Sequence, residues 1–144
     1  MTLIVLTTDL SAESKRAFAP SRALCQKLGA KIALIAVLED LPFEPTGGGL
    51  MAVFPDRRQV KDDWEKALAA LADELGRDLV AQATVIDAVD VPRAIVEWAK
   101  NNKADFIAMA THGRSGLRRL LLGSTAEQII RHSHVPVIVY PPTA

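Results

Sequence analysis

Five short apolar runs, separated by segments of helical length, constrain this chain more than any other feature. They are Leu3–Leu6, Lys31–Leu38, Val80–Ile86, Phe106–Met109 and Val135–Tyr140. Leu3–Leu6 is continuous and rich in branched residues, which suits a parallel strand covered on both faces. The segments between the runs carry helix signals. Val60, Trp64, Ala67, Leu68, Leu71 and Leu75 fall on one face of a helix over Asp56–Arg77, which predicts Trp64 in the core. Asp90 precedes Val91 and Pro92 and reads as a helix cap with a proline in the first turn. Ser11 reads as the cap of a helix running to Leu28 and closed by Gly29, with Pro20 forcing a kink or split near Ala19. A last helix over Ser124–Arg131 would turn Ala126, Ile129 and Ile130 inward.

The resulting order is βαβαβαβαβ. Such alternation predicts an α/β fold, a doubly wound parallel sheet with helices on both faces. Ligands of such sheets bind beyond the carboxyl ends of the strands, where the winding reverses. With 144 residues and 49% hydrophobic content, residues 1–144 suit one domain with a real core. Formal net charge is zero, so nothing global draws the chain to nucleic acid or an anionic membrane. No apolar stretch reaches membrane-spanning length, and the start MTLIVLTTDL lacks a basic leader region. The single Cys25 cannot form an internal disulfide. Together these predict a cytoplasmic protein.

The polar segments after the first and fourth runs carry the chemistry. Ala110–Gly123 contains Gly113, Gly116 and Gly123, and Ser124–Glu127 opens a helix with the S-x-x-E capping pattern. Glycines let the backbone approach a ligand, and unpaired N–H groups at a helix start favour an anion. Ser124 and Thr125 add hydroxyls; Ser124 could equally be the cap itself. Arg114 follows Gly113 and is better placed to reach a phosphate than Arg118 or Arg119. His112 reads as a loop residue that orders the turn or donates to phosphate, since no nucleophile or carboxylate is fixed near it in sequence. His132 and His134 lack further ligands and read as surface residues rather than metal ligands. Asp9, after the first run, could accept from ribose hydroxyls or an exocyclic amine, or cap the following helix. The 39–55 connection holds three prolines and three glycines, with Phe43, Leu50, Met51, Val53 and Phe54 needing cover from ligand, domain or partner. It is a candidate lid.

Reading Ala110, two residues, Gly113, nine residues, then Gly123-Ser124, the chain resembles the universal stress protein family, whose nucleotide-binding members carry Gly-x2-Gly-x9-Gly-(Ser/Thr) here. The resemblance extends from Thr7–Ser11 to Val135–Val139. It implies a five-stranded sheet in the order 3-2-1-4-5 and a Rossmann-like adenine-nucleotide site. ATP, with or without Mg²⁺, would be the cofactor. The implied contact set is Thr7, Thr8, Asp9, Val37, Met109, Ala110, His112, Gly113, Arg114, Gly123, Ser124 and Thr125. It further implies a homodimer that pairs through Val135–Tyr140, an apolar strand expected at the sheet edge. Two positions depart from the pattern. Thr7 stands where the family usually has proline, and Ala110 stands for the first glycine. A methyl at 110 restricts positive φ, so a turn of that kind there would oppose nucleotide binding.

No P-loop, no G-x-G-x-x-G after the first run and no Ser-Gly-Gly in the first loop occurs. No catalytic residue or metal ligand is therefore assigned. The sequence predicts a stress-response regulatory module that works by binding ATP. The alternatives are a protein-interaction module of the same fold without nucleotide, or a slow ATPase.

Overall fold

A computed structural model describes residues 1–40, 56–111 and 122–142. Five parallel strands form one sheet: β1 (Leu3–Thr7), β2 (Lys31–Glu39), β3 (Val80–Ala88), β4 (Phe106–Ala110) and β5 (Val137–Tyr140). Their order is β3-β2-β1-β4-β5, so the sheet is doubly wound in the order expected. β1 pairs with β2 from Leu3↔Lys31 to Thr7↔Ile35, and with β4 from Ile4↔Phe106 to Leu6↔Ala108. Those two neighbours depart in opposite directions, which places the reversal of winding between β1 and β4.

Among the described residues four α-helices cover the sheet: α1 (Phe18–Leu28), α2 (Arg57–Leu75), α3 (Val91–Asn101) and α4 (Ser124–His132). On one face Phe18 and Cys25 of α1 and Leu68, Leu71 and Leu75 of α2 pack on Ile4, Leu6, Ile32 and Leu34. On the other, Ile95 and Ala99 of α3 and Ala126 and Ile129 of α4 pack on Val5, Ile35, Ile107 and Met109. The alternation along β1 explains the division, since successive side chains point to opposite faces. Ile4, Leu6, Ile107 and Ile129 are fully buried, and removing such a side chain typically costs about 2–5 kcal/mol. Trp64 is partly buried against the first cluster.

Several expectations needed correction. Ser11 caps no α-helix: a 3₁₀ helix, Ser14–Ala17, comes first, and α1 begins at Phe18. Pro20 thus falls in the first turn of α1, where it removes no internal bond; the split predicted near Ala19 is this junction. Gly29, with φ +62°, closes α1 as expected. Ala67 is exposed, and Ile130 is 43% exposed at the margin of the α4 face. β5 starts at Val137, not Val135. Ser133 Oγ bonds both the Val135 carbonyl and the Val135 N–H, which holds that residue in a turn, and Pro136 has no N–H to offer a ladder.

Candidate functional site

The first wall of the site is the turn after β1. Thr8 N–H donates to the Ile35 carbonyl at 2.9 Å, tying the turn to β2. Leu10 sits at φ +67°, a conformation that costs a branched residue roughly 1 kcal/mol. The turn holds it there with a closed chain of bonds. Leu10 N–H donates to Thr8 Oγ1 at 3.0 Å, and Thr8 Oγ1 lies 2.7 Å from Ser14 Oγ. Ser14 Oγ donates to the Ser11 carbonyl at 2.8 Å. Ser14 has one proton and gives it to Ser11, so Thr8 donates to Ser14. Both hydroxyls are buried, at 6% exposure each. Asp9 Oδ1 accepts from Ser11 N–H at 2.9 Å and also from Ser11 Oγ. Asp9 therefore fixes the local turn; it is the cap of neither the 3₁₀ helix nor α1, which corrects its reading as a helix cap.

The second wall is the start of α4. Gly123 (φ −58°, ψ +157°), not Ser124, occupies the N-cap position, and among the described residues no side chain caps this helix. Ser124 is the first helical residue, so its reading as cap is corrected. The capping pattern fails because Glu127 pairs instead with Arg131 at 2.8 Å. The neighbouring helices differ. Asp56 accepts from Arg58 N–H at the start of α2, and Asp90 from Arg93 N–H at the start of α3. The first N–H groups of a helix have no partner inside it, and at α4 they carry the positive end of the helix dipole.

Between these walls lies a cavity of about 110 Å³. The predicted residues Thr7, Thr8, Asp9, Val37, Met109, Ala110 and Thr125 line it together. Ser14, Ile35, Val91, Ile95, Ala126 and Ile129 line it too and were not anticipated. Val91 could have been found, because it follows the Asp90 cap at the carboxyl edge of β3. Ser14 could not, because its partner Thr8 is set by the 3₁₀ helix rather than by any helical period. Gly123 and Ser124 stand beside the cavity in sequence but do not line it. His112, Gly113, Arg114, Arg118, Arg119 and the 41–55 connection lie outside the described residues. The described lining is apolar apart from four hydroxyls and one carboxylate. A volume below the roughly 300–1,000 Å³ of complete ligand pockets suits part of a ligand, such as a base or a sugar.

Position 110 answers the question raised by its methyl. Ala110 is the last residue of β4, opposite Tyr140, and is not among the residues with positive φ. An alanine fits there without strain.

At the same sheet edge Arg57 pairs with Asp40 and Asp87, each at 3.1 Å, and Lys61 with Asp87 at 2.6 Å. The Lys61 hydrogen bond and charge, helped by Arg57, hold the Asp87 carboxyl below its ordinary range. The same bond pushes the Lys61 ammonium up. Among the described residues no group of three or more His, Cys, Asp or Glu could hold a metal ion. No helix among them is long and apolar enough to cross a membrane.

A doubly wound parallel sheet with a cleft at its reversal point defines the class: a Rossmann-like α/β protein. The profile of the universal stress protein family matches residues 1–141, and the chain belongs to that family. A universal stress protein of Methanocaldococcus jannaschii, MJ0531, is 32% identical over 138 residues, covering 94% of this chain and 79% of the relative. Two solved structures share the fold. A universal stress protein in complex with cAMP has a TM-score of 0.68 at 19% identity, covering 99% of this chain and 98% of the other. A universal stress protein from Archaeoglobus fulgidus in complex with dAMP has a TM-score of 0.65 at 18% identity, covering 96% of each.

Proposed function

We propose that this chain is a regulatory module that binds an adenine nucleotide, ATP with or without Mg²⁺, in the cleft between β1 and β4. One observation carries the reading: the Thr7–Asp9 turn, Val37, Met109–Ala110 and Thr125, far apart in sequence, line one cavity beside an uncapped helix start. The apolar floor suits the base. Asp9 and the hydroxyls suit the sugar. The N–H groups of Ser124 and Thr125 suit a phosphate, with Gly123 leaving room beside them. Two structural relatives hold adenine nucleotides by their own description, cAMP and dAMP. Mg²⁺ would arrive on the phosphates, keeping most of its own waters. No base or nucleophile is assembled among the described cavity residues, so we assign binding rather than turnover.

We further propose a homodimer. β5 is an edge strand whose four residues are all half-buried, and none is a lysine or proline that would blunt the edge. A second copy pairing there would cover Val137 and Val139. The buried free thiol of Cys25 suits a reducing compartment, the cytoplasm.

Mass spectrometry of freshly purified, denatured protein tests the nucleotide reading. An adenine nucleotide at near-stoichiometric amount supports it. Protein that arrives empty and stays empty after incubation with excess ATP would refute it. Light scattering at micromolar concentration tests the dimer: a mass near twice 15.6 kDa is expected, and a monomer overturns it.

A further inference from the structure

A second cavity, larger than the crevice, lies in the groove between α3 and α4 and encloses about 420 Å³. Arg93, Glu97 and Lys100 line it from α3, and Gln128, His132 and His134 from α4 and the residues after it. Both helices connect parallel strands, so both run back across the sheet, and their last turns lie at the edge opposite the crevice. Lys100 and His132 belong to those last turns.

The charges in the groove are unequally matched. Arg93 Nε donates to Glu97 Oε1 at 2.9 Å, and Asp90, at the far end, accepts from the Arg93 backbone. Arg131, on α4, is paired with Glu127 at 2.8 Å. Lys100, His132 and His134 make no side-chain hydrogen bond or ion pair among the described residues. Cations at helix carboxyl ends are ordinary complements to the helix dipole, and that alone accounts for Lys100 and His132. It does not account for His134, which lies beyond the α4 cap Ser133 and still lines the groove.

We propose that the α3–α4 groove is a second ligand site, for a compact anion rich in oxygen acceptors, held by Lys100, His132 and His134. A phosphate or a carboxylate group has the required chemistry: each offers several acceptors to one ammonium and two imidazole donors. Asp90, Glu97, Arg93 and Lys100 on α3 nearly cancel in charge, as do Glu127 and Arg131 on α4. The Lys100 ammonium and the two imidazoles therefore supply the unmatched donors of the groove. The site is independent of the nucleotide reading.

The test is a titration of the full chain with inorganic phosphate and, separately, citrate, followed by NMR of the histidine Cε1–Hε1 signals. The signals of His132 and His134 shift saturably, with a Kd below about 10 mM. Phosphate binding without citrate binding, or the reverse, tells which anion class the groove takes. His134→Gln lowers affinity at least about threefold and the His132→Gln/His134→Gln double variant about tenfold, with unchanged thermal midpoints. Gly123→Val in the crevice leaves the titration unaltered. Shifts that do not saturate, that survive His134→Gln or that vanish in Gly123→Val would each overturn the proposal.

Discussion

The two walls of the crevice are built on opposite plans. On the β1 side the side chains of Thr8, Asp9, Ser11 and Ser14 all have partners within the turn. Leu10, Thr8, Ser14 and Ser11 form one bonded chain, and Asp9 bonds Ser11 twice. On the α4 side the helix begins at Gly123, with no side chain of the described residues across its first N–H groups. One wall is rigid and internally satisfied; the other offers donors. The lesson is that shape and charge recognition are separated. In the proposed nucleotide site the β1 turn would fix the outline of the pocket, and the α4 start would attract the phosphate. Substitutions on the first wall should therefore act mainly on stability, and those on the second mainly on affinity.

The largest effect expected is on the first wall. Thr8→Val keeps the shape but leaves Ser14 Oγ short of its donor and Leu10 N–H without an acceptor. Urea unfolding should show a loss of about 1–3 kcal/mol, the cost of buried polar groups left unpaired. A variant as stable as the parent would break the distinction between the walls. On the second wall, Gly123→Val sets a branched side chain at the α4 entrance. Nucleotide affinity, read by equilibrium dialysis with labelled ATP, should fall at least about tenfold, or 1.4 kcal/mol, with folding stability nearly unchanged.

Ala110→Gly sharpens the comparison from between the walls. Position 110 is extended backbone in β4, so glycine gains nothing there. Affinity should stay within about twofold, while stability falls by about 0.5–1 kcal/mol from the added freedom of the unfolded chain. A tighter-binding variant would show that the methyl obstructs the ligand. The smallest effect belongs to Asp87, outside both walls. Its carboxyl is held below its ordinary range, so its pairing stabilises fully above the unfolded carboxyl value of about 3.9 and fades as pH falls through the lower folded one. The pair is exposed, with Asp87 at 36% and Lys61 at 38%, so Asp87→Asn should cost under about 1 kcal/mol at pH 7 and nothing near pH 2. Denaturation curves at the two pH values check this.

The sheet was legible because buried parallel strands write themselves as apolar runs, and the order 3-2-1-4-5 came from the family resemblance. A helix cap was legible where one carboxylate does one job, as at Asp90. The reading failed where two partners compete. Glu127 satisfied the S-x-x-E pattern but found Arg131 on its own helix, and the cap moved back to Gly123. Ile130 failed for a geometric reason: a helix of nine residues against a sheet buries a narrow stripe, and Ala126 and Ile129 fill it. In the site, residues at strand ends were readable from position alone. Ser14, Ile95 and Ile129 were not, because they enter the crevice from helices whose tilt and depth no local pattern encodes.

The central claim is that two distant turns meet around an adenine nucleotide. Isothermal titration of the full chain with ATP and Mg²⁺ tests it most directly. The structure predicts saturable heat, about one nucleotide per chain, with a Kd below about 1 mM (tighter than about −4 kcal/mol), and no such heat with Gly123→Val. Flat titrations up to that concentration in the parent protein, or equal binding by parent and variant, would contradict it.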